Sequence, residues 1–157
     1  MKALTIWQPH ASLFATLWRE YETRSWAPPK SLIGQRIAIH AAKREIDPLS
    51  IRDLPDMDFP LGVVVATAIL RAAYQCRNPV GENWVEVQKS VSDGDDQVLI
   101  TADRFGDFSA GRWAWLLEDI KAFERPISAT GRQWLWNWTP PSLFPSTAPG
   151  IAPAFLE

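Results

Sequence analysis

The sequence predicts an α+β fold, a small mixed and curled β-barrel with one or two helices across its openings. Predicted strands outnumber predicted helices, and several are long and alternate apolar with polar residues. The 157 residues allow one domain with a substantial core, and 46% hydrophobic with 22% charged residues is ordinary for a globular protein. The sequence contains no internal repeat. We expect one domain over residues 1–138 and a proline-rich tail over residues 139–157.

The first part of the chain predicts a strand, a helix and two more strands. Residues 3–7 read as a short strand that ends at Gln8-Pro9, and a helix follows from Pro9. The segment EYETRSW, residues 20–26, and the segment 36–43 have the alternation of strands. The predicted helix carries one apolar stripe, expected in the core, of Leu13, Phe14, Leu17 and Trp18.

The rest of the chain predicts one buried strand and two aromatic ones. Residues 47–59 suggest a short helix and a loop, and the nearly continuous apolar run 61–73 suggests a strand buried on both faces. The polar stretch 77–103 is interpreted as a mobile acidic loop whose Asp93 to Asp96 lack the calcium-loop pattern. Strands are expected over 112–123 and 132–138. Their tryptophans expected in the core are Trp113, Trp115, Trp134 and Trp136.

Composition excludes several classes of protein. The single Cys76 excludes an internal disulfide and argues against a zinc-thiolate cage, and we expect it to be buried or half-buried. No apolar run is long enough to span a membrane, and the N-terminus reaches Pro9 and polar residues too soon for the pattern of a signal peptide, so a cytoplasmic protein is expected. No motif predicts a metal site or a cofactor.

The charge distribution is uneven along the chain. The net charge of −2 alone speaks against a generic nucleic-acid binder. Residues 19–44, however, contain six basic and two acidic side chains, whereas residues 45–103 contain four basic and eleven acidic ones. The basic stretch 19–44 permits contacts with phosphate groups.

The segment EYETRSW places chemically active side chains on one face. In an extended chain Glu22, Arg24 and Trp26 point the same way, with neighbouring Cα atoms of this set roughly 6.5–7 Å apart. Three such side chains together can bind a nucleobase and its phosphate. An ordinary ion pair beside a half-buried tryptophan explains it equally well.

Five short motifs occur in an order that is similar to one known family, the ASCH domain of the PUA-like superfamily. The similarity spans nearly the whole chain except the acidic loop and the tail. The motifs are LTIWQPHASL at 4–13, ETRSW at 22–26, IHAAK at 39–43, GVV at 62–64, and FGDF with GRWAW at 105–108 and 111–115. The resemblance implies a PUA-like barrel with one to three flanking helices, and a cleft between the first helix and the strands that carry the ETR and IHA motifs.

The resemblance also implies a role with nucleic acid. Family members are thought to act on RNA or other nucleic acid; some resemble nucleases, and a small subgroup hydrolyses acylated cytidine. That subgroup uses a lysine where this chain has Arg19 and a threonine where it has Glu22. An arginine stays protonated and cannot readily accept a proton, so that mechanism is not carried over intact.

Two functions follow as hypotheses. The first is an RNA-binding module in which a base is read by Glu22 and stacked on Trp26. The second is a metal-independent hydrolase, a ribonuclease or a nucleoside amidohydrolase, with Glu22 and Lys43 sharing proton transfer and Arg24 steadying negative charge. Both predict RNA, other nucleic acid or a modified nucleoside as partner. The residues predicted to bind it are Trp7, Gln8, Ser12, Arg19, Arg24, Trp26, His40, Lys43 and Arg112.

Overall fold

A computed structural model describes residues 1–88 and 97–141 of the chain. It contains eight strands, two short α-helices and one 3-10 helix. The strands are β1 Lys2–Ile6, β2 Tyr21–Arg24, β3 Arg36–Ala41, β4 Val63–Val80, β5 Trp84–Gln88, β6 Gln97–Thr101, β7 Trp113–Ser128 and β8 Leu135–Asn137. The helices are α1 His10–Ala15, the 3-10 helix Lys30–Leu32 and α2 Pro48–Ile51.

All eight strands belong to one sheet. Its main path runs β2-β7-β4-β3-β1-β8, and a hairpin of β5 and β6 extends from the end of β4. Strands β1 and β3 are parallel, and the other pairs are antiparallel. The predicted barrel is confirmed only as a predominantly β fold with few helices. The sheet is open, since β2 and β8 form the two ends of its path.

The two ends of the sheet nevertheless approach each other through side chains. The pairing of β4 with β7 shifts register at three places, and such bulges bend a strand and increase its twist. Arg24 at the end of β2 donates from Nη2 to the carbonyl oxygen of Thr5 in β1, at 2.9 Å. The rings of Trp26 and Trp134 lie 5.0 Å apart between centroids. The bent sheet therefore brings the ends of β1, β2, β3 and β8 to one place.

The main core cluster is formed by α1 and by strands β1, β3, β4 and β7, together with Leu32. The largest fully buried side chains come from α1, from β1, β3, β4, β5 and β7, and from Pro9. Trp115 is completely buried, packs edge to face on Trp26 at 4.8 Å, and donates from Nε1 to the carbonyl oxygen of Trp26 at 3.3 Å. Each such indole removes a large apolar area from water. The core thus fixes Trp26 from behind.

The first helix is shorter than predicted. It ends at Ala15, and Leu17 has a φ of 64°, which turns the chain away from the helical path. Leu13 and Phe14 are buried as expected, but Leu17 is 71% exposed and Trp18 is 52% exposed. The prediction that all four apolar residues lie in the core was wrong for the last two.

The polar stretch 77–103 is also more regular than predicted. The end of β4 and strands β5 and β6 occupy it, and β5 buries Val85 and Val87 beside a fully buried Cys76. The prediction of a loop was therefore wrong for both strands, whereas the prediction for Cys76 is confirmed. Asp93 to Asp96 and residues 142–157 of the predicted tail lie outside the described residues.

The aromatic segment 132–138 forms a strand of only three residues. Trp136 and Trp138 are buried in one cluster, but Trp134 is 63% exposed, with a φ of 62° just before the strand begins. The expectation that Trp134 lies in the core was wrong. Its indole faces an open cleft instead. No helix within residues 1–88 and 97–141 combines the length and apolar character needed to cross a bilayer.

Candidate ligand-binding site

A large concavity lies where the ends of the sheet approach each other. This cleft, called the main cleft below, has a volume of about 1190 Å³. Its walls are the ends of β1, β2 and β3, the turn before β4, and the segment 128–134. The lining residues are Thr5, Trp7, Arg24, Ser25, Trp26, His40, Ala42, Lys43, Leu61, Gly62, Ser128, Ala129, Thr130, Gly131, Arg132, Gln133 and Trp134.

Three tryptophans stand around the main cleft. Trp26 is held at its back by Trp115 and meets Trp134 on another side. Trp7 is 58% exposed, and the Arg44 guanidinium lies 3.7 Å from the centre of its ring. Such a cation over an indole face is attracted by the ring quadrupole. The cleft therefore presents flat apolar surfaces, of which Trp7 already carries a cation on one face.

The charges in the main cleft are all positive. Arg24, Lys43 and Arg132 line it, and no Asp or Glu of residues 1–88 and 97–141 does so. Lys43 and Arg132 are exposed and have no ion pair within the same residues. The main cleft thus offers cations to an anionic ligand without a competing carboxylate in its wall.

A smaller cavity of about 480 Å³, called the side cavity below, adjoins the main cleft. The two share five lining residues, among them Arg24 and Trp26. The full lining of the side cavity is Thr5, Ile6, Trp7, His10, Arg19, Glu22, Thr23, Arg24, Ser25, Trp26, Phe105, Asp107 and Arg112. Glu22 thus lies in the side cavity and Lys43 in the main cleft, so the structure does not bring them together on one wall.

Glu22 is a buried carboxylate between two guanidinium groups. Its Oε1 lies 3.0 Å from Nε of Arg24, and its Oε2 lies 3.4 Å from Nη1 of Arg19. Burial raises the pKa of Glu22, while the two arginines act in the opposite direction. Glu22 and Arg24 form an ion pair, as expected for side chains on one face of β2. Trp26 lies beyond the end of β2, and Thr23 and Ser25 also line the side cavity, so this lining does not separate the two faces.

Arg24 belongs to both concavities and is held by two groups. Besides its ion pair with Glu22, its Nη2 donates to the carbonyl oxygen of Thr5. The Nε atom is close to Glu22, yet it makes no hydrogen bond of acceptable geometry within the described residues. Arg24 is therefore fixed in place and keeps one N–H unused.

Arg19 and Arg112 line the side cavity but are largely occupied by the protein itself. Arg19 is 3% exposed and contacts the carboxylates of Glu22 and Asp103 and the carbonyl oxygen of Tyr21. Arg112 donates to the carbonyl oxygens of Asp107 and Thr23. Both residues build the cavity wall.

Gln8 and Ser12 lie away from both concavities. Both are buried, and Gln8 donates from Nε2 to the Ser12 hydroxyl at 2.8 Å and to the carbonyl oxygen of Pro60 at 2.9 Å. The Gln8 Oε1 accepts from the Ser12 backbone N–H at 3.0 Å. These bonds satisfy the amide of Gln8, and the structure does not bring the pair to the predicted site.

His40 lines the main cleft as a fully satisfied buried group. Its Nε2 lies 3.0 Å from the carbonyl oxygen of Ala129, which can only accept, so this nitrogen carries the proton. Its Nδ1 lies 3.3 Å from the Thr5 hydroxyl, which in turn accepts from Nε1 of Trp136 at 3.0 Å. Burial lowers the pKa of His40. The ring is therefore neutral at pH 7 and ties β3 to the segment 128–134.

His10 is a site residue that the sequence analysis missed. It lines the side cavity beside Glu22, and its ring meets the Phe105 ring edge to face at 6.3 Å. Its Nδ1 is buried and has no hydrogen-bond partner within the described residues. Burial, assisted by Arg19, lowers the pKa of His10 to about 4. The only sequence signal was its place directly after the predicted strand end, within the QPHA stretch.

The lowered pKa of His10 predicts a loss of stability in mild acid. The unfolded chain protonates His10 near pH 6.5 and the folded chain only near pH 4, so the free energy of unfolding falls as the pH drops through that window. Allowing for partial exposure, we expect about 1–2 kcal/mol from this residue. Urea unfolding of the wild type and of His10→Phe at about pH 7.5 and pH 5 measures it.

The difference between the two proteins isolates His10 from other titrating groups. His40 acts in the same direction, and Glu22 acts in the opposite one, but both are present in wild type and variant. A stability difference that stays constant between the two pH values would show that His10 is not held neutral.

The fold and the site define a predominantly β domain with an aromatic, cationic cleft and an adjoining polar cavity. No protein-family model and no curated protein matches the chain. Among solved structures, the chain is similar to the crystal structure of ASCH from Zymomonas mobilis. The two are 17% identical, and the match covers 81% of this chain and 72% of that one, with a TM-score of 0.44.

Proposed function

We propose that this protein binds single-stranded nucleic acid, with RNA as the favoured class, in the main cleft. The observation that carries the proposal is the composition of the cleft wall in the described residues, which holds three tryptophans and three cations and no carboxylate. Flat aromatic faces beside positive charges are the combination that binds bases and phosphates together. A ligand that is only anionic leaves the indoles unexplained.

The two kinds of side chain have separate roles in the proposal. Trp26 and Trp134 stack bases, each stacked base contributing about 1–3 kcal/mol. Lys43 and Arg132 neutralise phosphates, since both are exposed and unpaired within the described residues. The overall charge of −2 does not oppose this, because phosphates meet the local field of the cleft.

Salt dependence tests the proposal. Fluorescence anisotropy with a labelled oligouridine across a series of salt concentrations should give a linear fall of log affinity with log salt. Lys43→Gln should weaken binding by about fivefold and reduce the slope by about 0.7, as expected for one lost phosphate contact on a single strand. The matched control is Lys30→Gln, because Lys30 is exposed on the 3-10 helix and lines neither concavity.

Two results would contradict the proposal. One is the absence of binding to any labelled oligonucleotide at low salt. The other is equal weakening by Lys43→Gln and Lys30→Gln, since that would place the phosphates on the general surface of the protein and not in the main cleft.

Hydrolysis of the same ligand class is the second candidate. It is supported by the buried Glu22, whose raised pKa and position in a cavity suit a proton-transferring group. In this version Arg24 steadies the developing negative charge, and Lys43 takes no part in proton transfer because it lines the other concavity. Mass spectrometry of the oligonucleotide after incubation decides between the candidates: new products with the wild type and none with Glu22→Gln would favour the hydrolase.

A further inference from the structure

Two neighbouring cations follow β3, and the sheet places them beside Trp7. Strands β1 and β3 are parallel neighbours, so their carboxyl ends lie at the same edge. The backbone N–H of Ala42 donates to the carbonyl oxygen of Ile6 at 2.9 Å and extends this contact beyond the strands. Trp7 therefore lies next to the segment that carries Lys43 and Arg44.

Arg44 is held on the face of Trp7. Its guanidinium lies 3.7 Å from the centre of the ring, and both side chains are exposed. Among the residues that the structure describes, Arg44 has no ion-pair partner. The attraction to the ring supplies no hydrogen-bond acceptor, so the N–H donors of the guanidinium stay free for an anion.

Lys43 and Arg44 occupy different positions at the main cleft. Lys43 lines the cleft, and its aliphatic stem passes over Gly62, where a Cβ atom would lie 3.6 Å from Cβ of Lys43 and 3.8 Å from its Cγ and Cδ. Arg44 is not part of the lining and contacts Trp7, which is. One cation thus lies in the wall of the cleft and the other lies at its rim.

We propose that Arg44, held on Trp7, binds a second phosphate at the rim of the main cleft, and that the ligand is therefore a strand of several nucleotides. A nucleoside or a mononucleotide cannot use both cations, because it has at most one phosphate at its sugar. This inference rests on the proposed nucleic-acid binding and names the class of ligand within it. Lys43 binds one phosphate in the cleft, and Arg44 binds the next one where the strand leaves it.

The contact with Trp7 prepares Arg44 for this role. A free arginine side chain loses much rotamer freedom when it binds, whereas a guanidinium that already rests on an indole loses less. Its planar fork of donors matches the oxygens of a phosphate. The Cα atoms of Lys43 and Arg44 are about 3.8 Å apart, as across any trans peptide, and both side chains are long enough to reach neighbouring phosphates of one strand. Trp7 therefore acts through Arg44, while Trp26 and Trp134 stack the bases.

Ligand length provides the first test. Competition against a labelled oligouridine of about six nucleotides compares uridine 5′-monophosphate with the same oligouridine unlabelled, and the wild type should bind the oligouridine at least about tenfold more tightly. Arg44→Gln should weaken oligouridine binding about fivefold and reduce the slope of log affinity against log salt by about 0.7. Competition by the monophosphate should stay within about 1.5-fold of the wild type. The matched control is Arg77→Gln, because Arg77 is exposed near the far end of β4 and lines neither concavity.

Trp7→Leu tests whether the indole acts through Arg44. The change should weaken oligouridine binding about two- to fivefold, but by less than about 1.5-fold when Arg44→Gln is already present. The comparison is Trp134→Leu, since Trp134 lines the main cleft and carries no cation on its ring within residues 1–88 and 97–141. Its loss should weaken binding equally in both backgrounds and leave the salt slope unchanged. Circular dichroism checks that each variant is folded.

The outcomes separate this inference from the proposed function. If Arg44→Gln binds every ligand as Arg77→Gln does, or if the monophosphate competes as well as the oligouridine, the second phosphate position is overturned and binding in the main cleft stands. A loss in Trp7→Leu that is the same with and without Arg44 overturns the role of Trp7 as the support of Arg44. Absence of binding to every oligonucleotide overturns both proposals.

Discussion

Arg19→Met should lower the free energy of unfolding by about 3–5 kcal/mol. Arg19 is buried, and its guanidinium contacts Asp103 at 3.1 Å, the carbonyl oxygen of Tyr21 at 2.7 Å and Glu22 at 3.4 Å. It also lies 4.9 Å from the centre of the Phe14 ring in α1. Removing it leaves Asp103 without its ion-pair partner and the buried Glu22 with Arg24 as its one remaining partner, which costs far more than the contacts alone.

The measurement is urea unfolding followed by circular dichroism, with Arg71→Met as the control. Arg71 and Glu118 form a shorter pair, at 2.8 Å, but both side chains are about half exposed. We therefore expect less than about 1 kcal/mol for the control. The double variant Arg19→Met with Glu22→Gln should cost less than the sum of the single changes, since the second change removes one of the two negative charges that lose Arg19 in the first. Equal costs for Arg19 and Arg71 would show that burial does not govern the pair.

Arg19 also shows that its ion-pair partners cannot be predicted from the neighbouring sequence. It was predicted as a nucleic-acid contact, and it belongs to the basic stretch 19–44. Charge counted along the chain does not show which cations pack against Asp103, which is 84 residues away. The contact of Glu22 with Arg24, in contrast, followed from strand alternation alone, because that relation is local.

Positive φ angles at ordinary residues account for two errors in the predicted core. Leu17 and Trp134 have apolar side chains in the expected periodic positions, but both adopt left-handed backbone conformations. L-residues seldom do so, and no residue-type signal such as glycine announces the turn. At Trp134 the turn moves an indole from the predicted core to the wall of the main cleft.

The hairpin of β5 and β6 was missed for a different reason. Only alternate residues of β5 are buried, and Val85 and Val87 are separated by Glu86 in a stretch rich in charge. Such a half-buried hairpin has a short alternating pattern that a polar composition conceals. The apolar strand β4, which is part of the core, was predicted readily, although the prediction stopped several residues before its end.

Gly131→Ala is the second change with a large expected effect. A Cβ atom at this position would lie 2.6 Å from Nδ1 of His40 and 3.0 Å from the Thr5 hydroxyl oxygen, with the Cε1 atom of His40 also too close. His40 is 1% exposed and is bonded on both sides, so it has no room to yield. We expect a loss of about 1–3 kcal/mol in the free energy of unfolding, the usual cost of an extra methyl group in a packed interior.

The same change should weaken oligonucleotide binding, because the segment that carries Arg132 and Trp134 to the main cleft rests on His40 through the carbonyl oxygen of Ala129.

A double-mutant cycle with His40→Ala tests whether the contact with His40 causes the loss of stability in Gly131→Ala. Without the imidazole there is space for the methyl group, so Gly131→Ala should cost less than about 0.5 kcal/mol in that background. A cost that is the same with and without His40 would place the strain in the backbone of the segment. A normal affinity in a destabilised Gly131→Ala protein would show that Arg132 and Trp134 do not depend on this support for their part in the cleft.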